Sequence, residues 1–133
     1  MREDAHRWLR QGEADLRMAR VSLEAAGYEW ACFQAQQAAE KALKAFMYQQ
    51  GYAEFTHSLT ELVRSCGKWD DSFQVPELAE AAHFLDQFYI PTRYPNGLAG
   101  GIAPTEFYQR ADAEKCVSMS ELILRAVRKS FGK

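Results

Sequence analysis

Tyr28-Glu29-Trp30-Ala31-Cys32-Phe33-Gln34-Ala35-Gln36-Gln37-Ala38-Ala39-Glu40-Lys41-Ala42-Leu43-Lys44-Ala45-Phe46-Met47-Tyr48-Gln49-Gln50 is the stretch that decides the fold. It contains no proline and no glycine. Ala31, Ala35, Ala38, Ala42 and Ala45 recur at steps of three and four, and Cys32, Ala39, Leu43 and Phe46 form a second line beside them. Residues so spaced stack on one side of an α-helix, so the stretch predicts a helix with two adjacent apolar seams. One seam serves one neighbour; two predict a helix held between two others, the packing centre of a helical bundle. The alanines let neighbouring backbones approach, while Phe33, Leu43, Phe46 and Met47 fill the remaining space. Gly51 is suited to close the helix.

Outward from this centre, the same reading yields the remaining helices. A first helix is expected from about Glu3 to Ala26, with Leu9, Gly12, Leu16, Ala19, Leu23 and Ala26 as its seam and Gly27 as a left-handed cap. Ser58-Leu59-Thr60-Glu61 reads as a capping box, with Glu61 reaching back to the Ser58 N–H. It opens a short third helix that buries Leu59, Leu62, Val63 and Cys66 before Gly67. Pro76 fits the first turn of a fourth helix lined by Leu78, Ala81, Ala82, Leu85 and Phe88 and ended by Pro91. Thr92 to Ala103 reads as a loop, and a last helix is expected from Pro104 to about Lys129, with Ala113, Cys116, Ser120, Ile123 and Val127 facing inward. No alternating β-branched run competes, so the fold class is all-α, in one domain over residues 1–133.

The totals agree. A chain of 133 residues can bury roughly two-thirds of the surface its unfolded form exposes, enough for a core. A net charge of −2, with both signs mixed along the chain, argues against sequence-blind binding of duplex nucleic acid. Cys32, Cys66 and Cys116 are odd in number, widely spaced and flanked by apolar residues, which reads as buried reduced thiols. Met1-Arg2-Glu3-Asp4 leads into no apolar leader, and no apolar run approaches the ~18 residues of a membrane span, so a cytoplasmic protein is expected. Trp30, Phe84, Phe88, Tyr89, Phe107 and Tyr108 cluster near the Thr92–Ala103 loop; a bundle this small leaves part of such a set uncovered, which predicts a symmetric homodimer.

Three places could carry chemistry. Gln36, Gln37, Glu40, Lys41 and Lys44 form a polar stripe on the second helix, with Glu40 and Lys44 spaced for an ion pair; taken alone it reads as a solvated face, and otherwise as a lysine reaching an anion. His57 directly precedes the capped third helix, where it can make one hydrogen bond. Thr92-Arg93-Tyr94-Pro95-Asn96-Gly97 offers a guanidinium fork for a phosphate or carboxylate and a flat ring for a base, in a turn stiffened by proline. His6 and His83 have no partner at ligand spacing, and the chain contains no HExxH, GxSxG or Walker loop. No metal site and no cofactor are expected.

Gln37-Ala-Ala-Glu40-Lys41-Ala-Leu-Lys44, then Thr56-His57-Ser58-Leu59, then Thr92-Arg93-Tyr94-Pro95, in that order, resembles a HEPN domain, a helical domain of prokaryotes and higher eukaryotes. The similarity runs from about Arg7 to Arg128. It implies an up-and-down bundle of four main helices plus a short extra helix, usually paired as a homodimer. It also implies binding of a nucleotide or single-stranded RNA, often beside a small nucleotidyltransferase in a toxin–antitoxin-like pair. The candidate nucleotide-binding residues are then Arg93, Tyr94, Lys44, Lys41 and His57. Many members of this family are metal-independent ribonucleases marked by an Arg and a His with four to six residues between them. No histidine follows His83, Arg64 has none at that distance, and Arg2 and His6 are too close and in the first helix. The expected function is therefore a non-catalytic binding module, with a ribonuclease assembled from His57 and Arg93 as the alternative.

Overall fold

A computed structural model describes residues 2–132. Six helices follow one another: α1 (Arg2–Glu24), α2 (Tyr28–Gln49), α3 (Leu59–Gly67), α4 (Pro76–Asp86), α5 (Pro104–Phe107) and α6 (Arg110–Phe131). Single 3-10 turns at Asp71–Phe73 and Pro95–Gly97 lie in the connections. Among the described residues there is no strand, and no helix is long and apolar enough to cross a membrane.

The two seams of α2 do what their spacing predicts: α2 packs most extensively against α1 and next against α6. Close approach is set by small residues. At Gly12 on α1, a Cβ would stand 3.0 Å from the Ala38 carbonyl oxygen and 3.3 Å from the Ala42 nitrogen. A side chain there would push the two helices apart. The core on the other side joins Leu43, Phe46, Leu59, Leu62, Phe73, Leu85, Ile123 and Val127, with the Phe46 and Phe73 rings 4.8 Å apart. α1 and α6 are tied at the surface by Arg128, whose guanidinium donates to both carboxylate oxygens of Glu13 (2.7 and 3.0 Å) and to Glu121 (3.2 Å). Those bonds, Glu13 foremost, push the Arg128 pKa up.

All three cysteines are buried and free. Burial, with the charge of Asp70 adding to it, pushes the Cys66 thiol up to about 12, so it stays protonated at neutral pH.

The helix ends differ from the expected pattern in four places, each for a physical reason. α4 stops at Asp86 rather than at Pro91, because the Gln87 and Phe88 N–H groups bond three residues back, to the Phe84 (3.3 Å) and Leu85 (3.0 Å) carbonyls, which leaves Phe88 beyond the helix. Ala26, at φ 63°, takes the left-handed conformation after α1, one residue before the glycine expected there. Gly27 instead starts α2, its carbonyl accepting the Ala31 N–H at 2.9 Å. At α3, Ser58 caps as expected (Glu61 N–H to Ser58 Oγ, 3.2 Å), but Glu61 turns to the Thr56 hydroxyl (2.6 Å) and Thr56 Oγ1 takes the Ser58 N–H (3.1 Å). The strongest cap is tertiary. Asp86, from the end of α4, accepts the Leu59 N–H (2.7 Å), the Thr60 N–H (3.1 Å) and the Thr60 hydroxyl (2.8 Å). A carboxylate on orphan N–H groups at a helix N-terminus contributes on the order of 1–2 kcal/mol, and it locks α3 against α4. Finally, the last helix is two. The chain leaves helical geometry at Tyr108 (φ −80°, ψ 139°), whose buried ring packs against Phe88 (5.8 Å), and Asp112 restarts it by accepting the Gln109 N–H at 2.9 Å.

Candidate functional site

The polar stripe of α2 is not a solvated face. Gln36 is 0% exposed, Glu40 5% and Lys44 5%. At spacing i, i+4, i+8 the three lie in one line along the helix, and they bond along it. Lys44 Nζ donates to Glu40 Oε2 at 3.0 Å, and Gln36 Nε2 lies 3.4 Å from Glu40 Oε1. Gln37 supports the end of the line, donating to Gln36 Oε1 at 2.7 Å. Trp8 of α1 covers the Lys44 end, its ring centre 5.9 Å from Nζ. A charge so buried is tolerable only because it is paired and hydrogen-bonded.

Glu40 carries a third partner. Oε2 also lies 3.1 Å from Nδ1 of His57, on the loop before α3, whose carbonyl oxygen stands 3.5 Å from Gln36 Nε2. The buried carboxylate therefore holds a histidine whose side chain is 56% exposed. The His57 ring stacks on Tyr89, centroids 4.7 Å apart and 19° from parallel.

Tyr89 links this histidine to the loop after α4. The Arg93 guanidinium sits 4.7 Å from the Tyr89 ring centre, 4.5 Å from Phe33 and 5.1 Å from Tyr94, and Nε donates to the Tyr89 carbonyl at 2.9 Å. Arg93 makes no ion pair with any acid among the described residues. Cation–π contacts of this kind hold the group in place while leaving its charge uncompensated. The loop is shaped for this. Thr92 is buried, its hydroxyl donating to the Phe88 carbonyl at 2.6 Å, and the Arg93 N–H donates to the Ile90 carbonyl at 3.1 Å. At Gly97 a Cβ would come 2.9 Å from Pro91 Cα, so the Asn96-Gly97 step serves a close backbone approach.

Of the five residues singled out from sequence, His57 and Arg93 meet on the Tyr89 ring, and Tyr94 joins them through Arg93. Lys44 reaches this group only through Glu40. Lys41 faces α1 instead, its Nζ 2.5 Å from Asp15 Oδ2, beside a cleft of about 330 Å³ that it shares with Arg7, Trp8 and Gln11. Sequence reasoning missed Phe33, which it read as filler, and Tyr89, which it read as part of an uncovered patch. Of that patch, Phe88 and Tyr108 are covered within the chain, whereas Trp30 and Phe107 stay exposed, as do Phe55, Ile90 and Tyr94. The Trp30 ring continues the aromatic surface, 6.3 Å from Phe33, which is itself 6.3 Å from Tyr89.

The arrangement offers a cation with free donors, flat rings and a hydrogen-bonding histidine on one open shelf. Among the described residues, no group of three or more His, Cys, Asp or Glu side chains could hold a metal ion.

A HEPN domain family model matches residues 5–130. A curated protein of Methanocaldococcus jannaschii, named "Putative toxin MJ1304", is 28% identical over 127 residues, covering 91% of this chain and 84% of that protein. The crystal structure of a Thermus thermophilus protein is 38% identical, covers 94% of this chain and 96% of that one, and superposes with a TM-score of 0.88. That of an archaeal HEPN homologue is 35% identical, with 95% and 96% covered and a TM-score of 0.78. A HEPN domain protein from Thermotoga maritima is 31% identical, with 96% and 99% covered and a TM-score of 0.73.

Proposed function

Because the chain belongs to the HEPN domain family, we propose that it is a nucleotide- or partner-binding module without a reaction of its own, working as a homodimer beside a small nucleotidyltransferase in a toxin–antitoxin-like pair. The observation that carries the nucleotide reading is Arg93: a half-buried guanidinium over three aromatic rings, with no acid against it. Its terminal N–H groups suit a phosphate, and the exposed Tyr94 ring suits a base. His57 completes the contact surface, Lys44 acts through Glu40, and Lys41 serves the α1 face. The toxin-named relative supports the two-component setting.

Thermal-shift titration with nucleoside mono-, di- and triphosphates tests the ligand. Binding to the folded state raises the melting temperature with concentration. A flat profile at millimolar nucleotide would remove the ligand and leave only a protein partner. The exposed Trp30, Phe55, Ile90 and Phe107 side chains support the homodimer. Sedimentation at micromolar concentration is expected to return twice the chain mass, and a monomer there would count against it.

A specific observation favours a second reading, a metal-independent ribonuclease: His57 and Arg93 meet at one Tyr89 ring although the chain lacks the family's Arg–His spacing. Cleavage of single-stranded RNA in chelator, lost in both His57→Ala and Arg93→Ala, would establish it. Cleavage that persists in either variant would point to a contaminant.

A further inference from the structure

Within the proposed ligand surface, on which this step rests, we infer that Glu40 is a positioning residue: it fixes His57 as the Nδ1–H tautomer and so presents Nε2 outward as a hydrogen-bond acceptor for a hydroxyl or amine of the bound nucleotide.

A neutral imidazole has one N–H and one lone pair, and the partner of either nitrogen decides which is which. The partner of Nδ1 is Glu40 Oε2 at 3.1 Å. A carboxylate oxygen with donors around it accepts, and Glu40 has Lys44 Nζ 3.0 Å from the same oxygen and the amides of Gln36 and Gln37 directed at Oε1. Every group around this carboxylate donates to it, so Nδ1 must carry the proton. The ring plane is held by its stack on Tyr89, and the contact of Nδ1 with Glu40 fixes which edge faces inward. Nε2 is the nitrogen remaining, on a side chain more than half exposed, and no described residue bonds to it. The residue that sets the polarity of the shelf is thus buried in α2 and never touches the ligand. The shelf then combines an acceptor at His57 with donors at Arg93, which fits a ligand bearing both an anion and a nearby hydroxyl or amine.

Nitrogen-15 NMR of the histidine ring tests this in the whole protein. Under conditions where the ring is neutral, the wild type is expected to show a protonated Nδ1 and an unprotonated Nε2. Glu40→Gln keeps an oxygen at the same place and should keep that tautomer. Glu40→Leu combined with Lys44→Met leaves no lone charge in the core and should relax the ring toward the Nε2–H form that free histidine favours. A wild-type ring protonated at Nε2, or an Nδ1–H ring unchanged in the double variant, would overturn the role of Glu40.

Adenosine monophosphate then probes the outward nitrogen. Its Nε2 resonance should move, and affinity should fall roughly threefold to tenfold when the donor is removed. Loss with 2′,3′-dideoxyadenosine monophosphate identifies a ribose hydroxyl as that donor, and loss with inosine monophosphate the base amine. If Arg93 resonances move and Nε2 does not, His57 is not the ligand's acceptor. If neither moves at millimolar nucleotide, the nucleotide reading fails, while the tautomer measurement still decides the role of Glu40.

Discussion

Glu40→Ala is expected to lower the free energy of unfolding by about 3–5 kcal/mol, enough to unfold a large share of a marginally stable domain. The magnitude follows from what is left behind. Glu40 and Lys44 side chains are each 6% exposed and 3.0 Å apart. Forming the pair gains little overall, because the attraction is offset by taking two charges out of water. Removing one partner gains nothing back: the Lys44 ammonium stays enclosed by Trp8 and the α2 core with no counter-charge. Gln36, Gln37 and His57 lose an acceptor in the same step. By the same reasoning, Glu40→Leu with Lys44→Met should lie within about 1 kcal/mol of wild type or above it, since no charge is then buried. Urea denaturation of the single and double variants, read from midpoint shifts at constant slope, measures both. A loss under about 1 kcal/mol in Glu40→Ala would mean that water reaches the pair and that the stripe behaves as a surface one.

That result would also locate the limit of what the sequence discloses. The seams of α2 were legible because alanines, Leu43 and Phe46 repeat at helical spacing and nothing else explains them. The burial of Gln36, Glu40 and Lys44 was not, because a periodicity argument assigns polar positions outward. What covers them comes from far along the chain: Trp8 from α1 and the loop around His57. A local signal did exist, since Gln36, Glu40 and Lys44 follow one line at steps of four, and a helix apolar on both flanks leaves such a line little solvent. The break at Tyr108-Gln109 was hidden for a similar reason. Neither residue breaks helices; the cause is the burial of the Tyr108 ring against Phe88. Only Asp112, three residues beyond Gln109, marked a new start. For the site, the motif residues His57, Arg93 and Tyr94 were legible one by one. That Tyr89 gathers His57 and Arg93 depends on how α4 and its loop return to α2, and that Lys41 lies apart on Asp15 depends on how α1 packs along α2.

Arg93→Ala should separate binding from structure more sharply than any other change on the shelf. The guanidinium makes one hydrogen bond to the chain, Nε to the Tyr89 carbonyl, and rests on Phe33, Tyr89 and Tyr94. Partly exposed stacking of this kind is worth about 0.5–2 kcal/mol to the fold. A charge-assisted bond to a phosphate is worth about 1.5–3 kcal/mol, so nucleotide affinity should fall roughly tenfold to a hundredfold. Arg93→Lys discriminates further. It keeps the positive charge and loses both the planar fork and the Nε bond, so it should restore part of the affinity if attraction alone matters and little if two-pronged phosphate recognition does. Isothermal titration of wild type and both variants, beside their denaturation curves, gives the two quantities independently. A variant that loses stability but binds nucleotide as the wild type does would make Arg93 a structural clasp between α2 and the loop. The ligand would then have to be sought on another face, such as the cleft where Lys41, Arg7 and Gln11 surround Trp8.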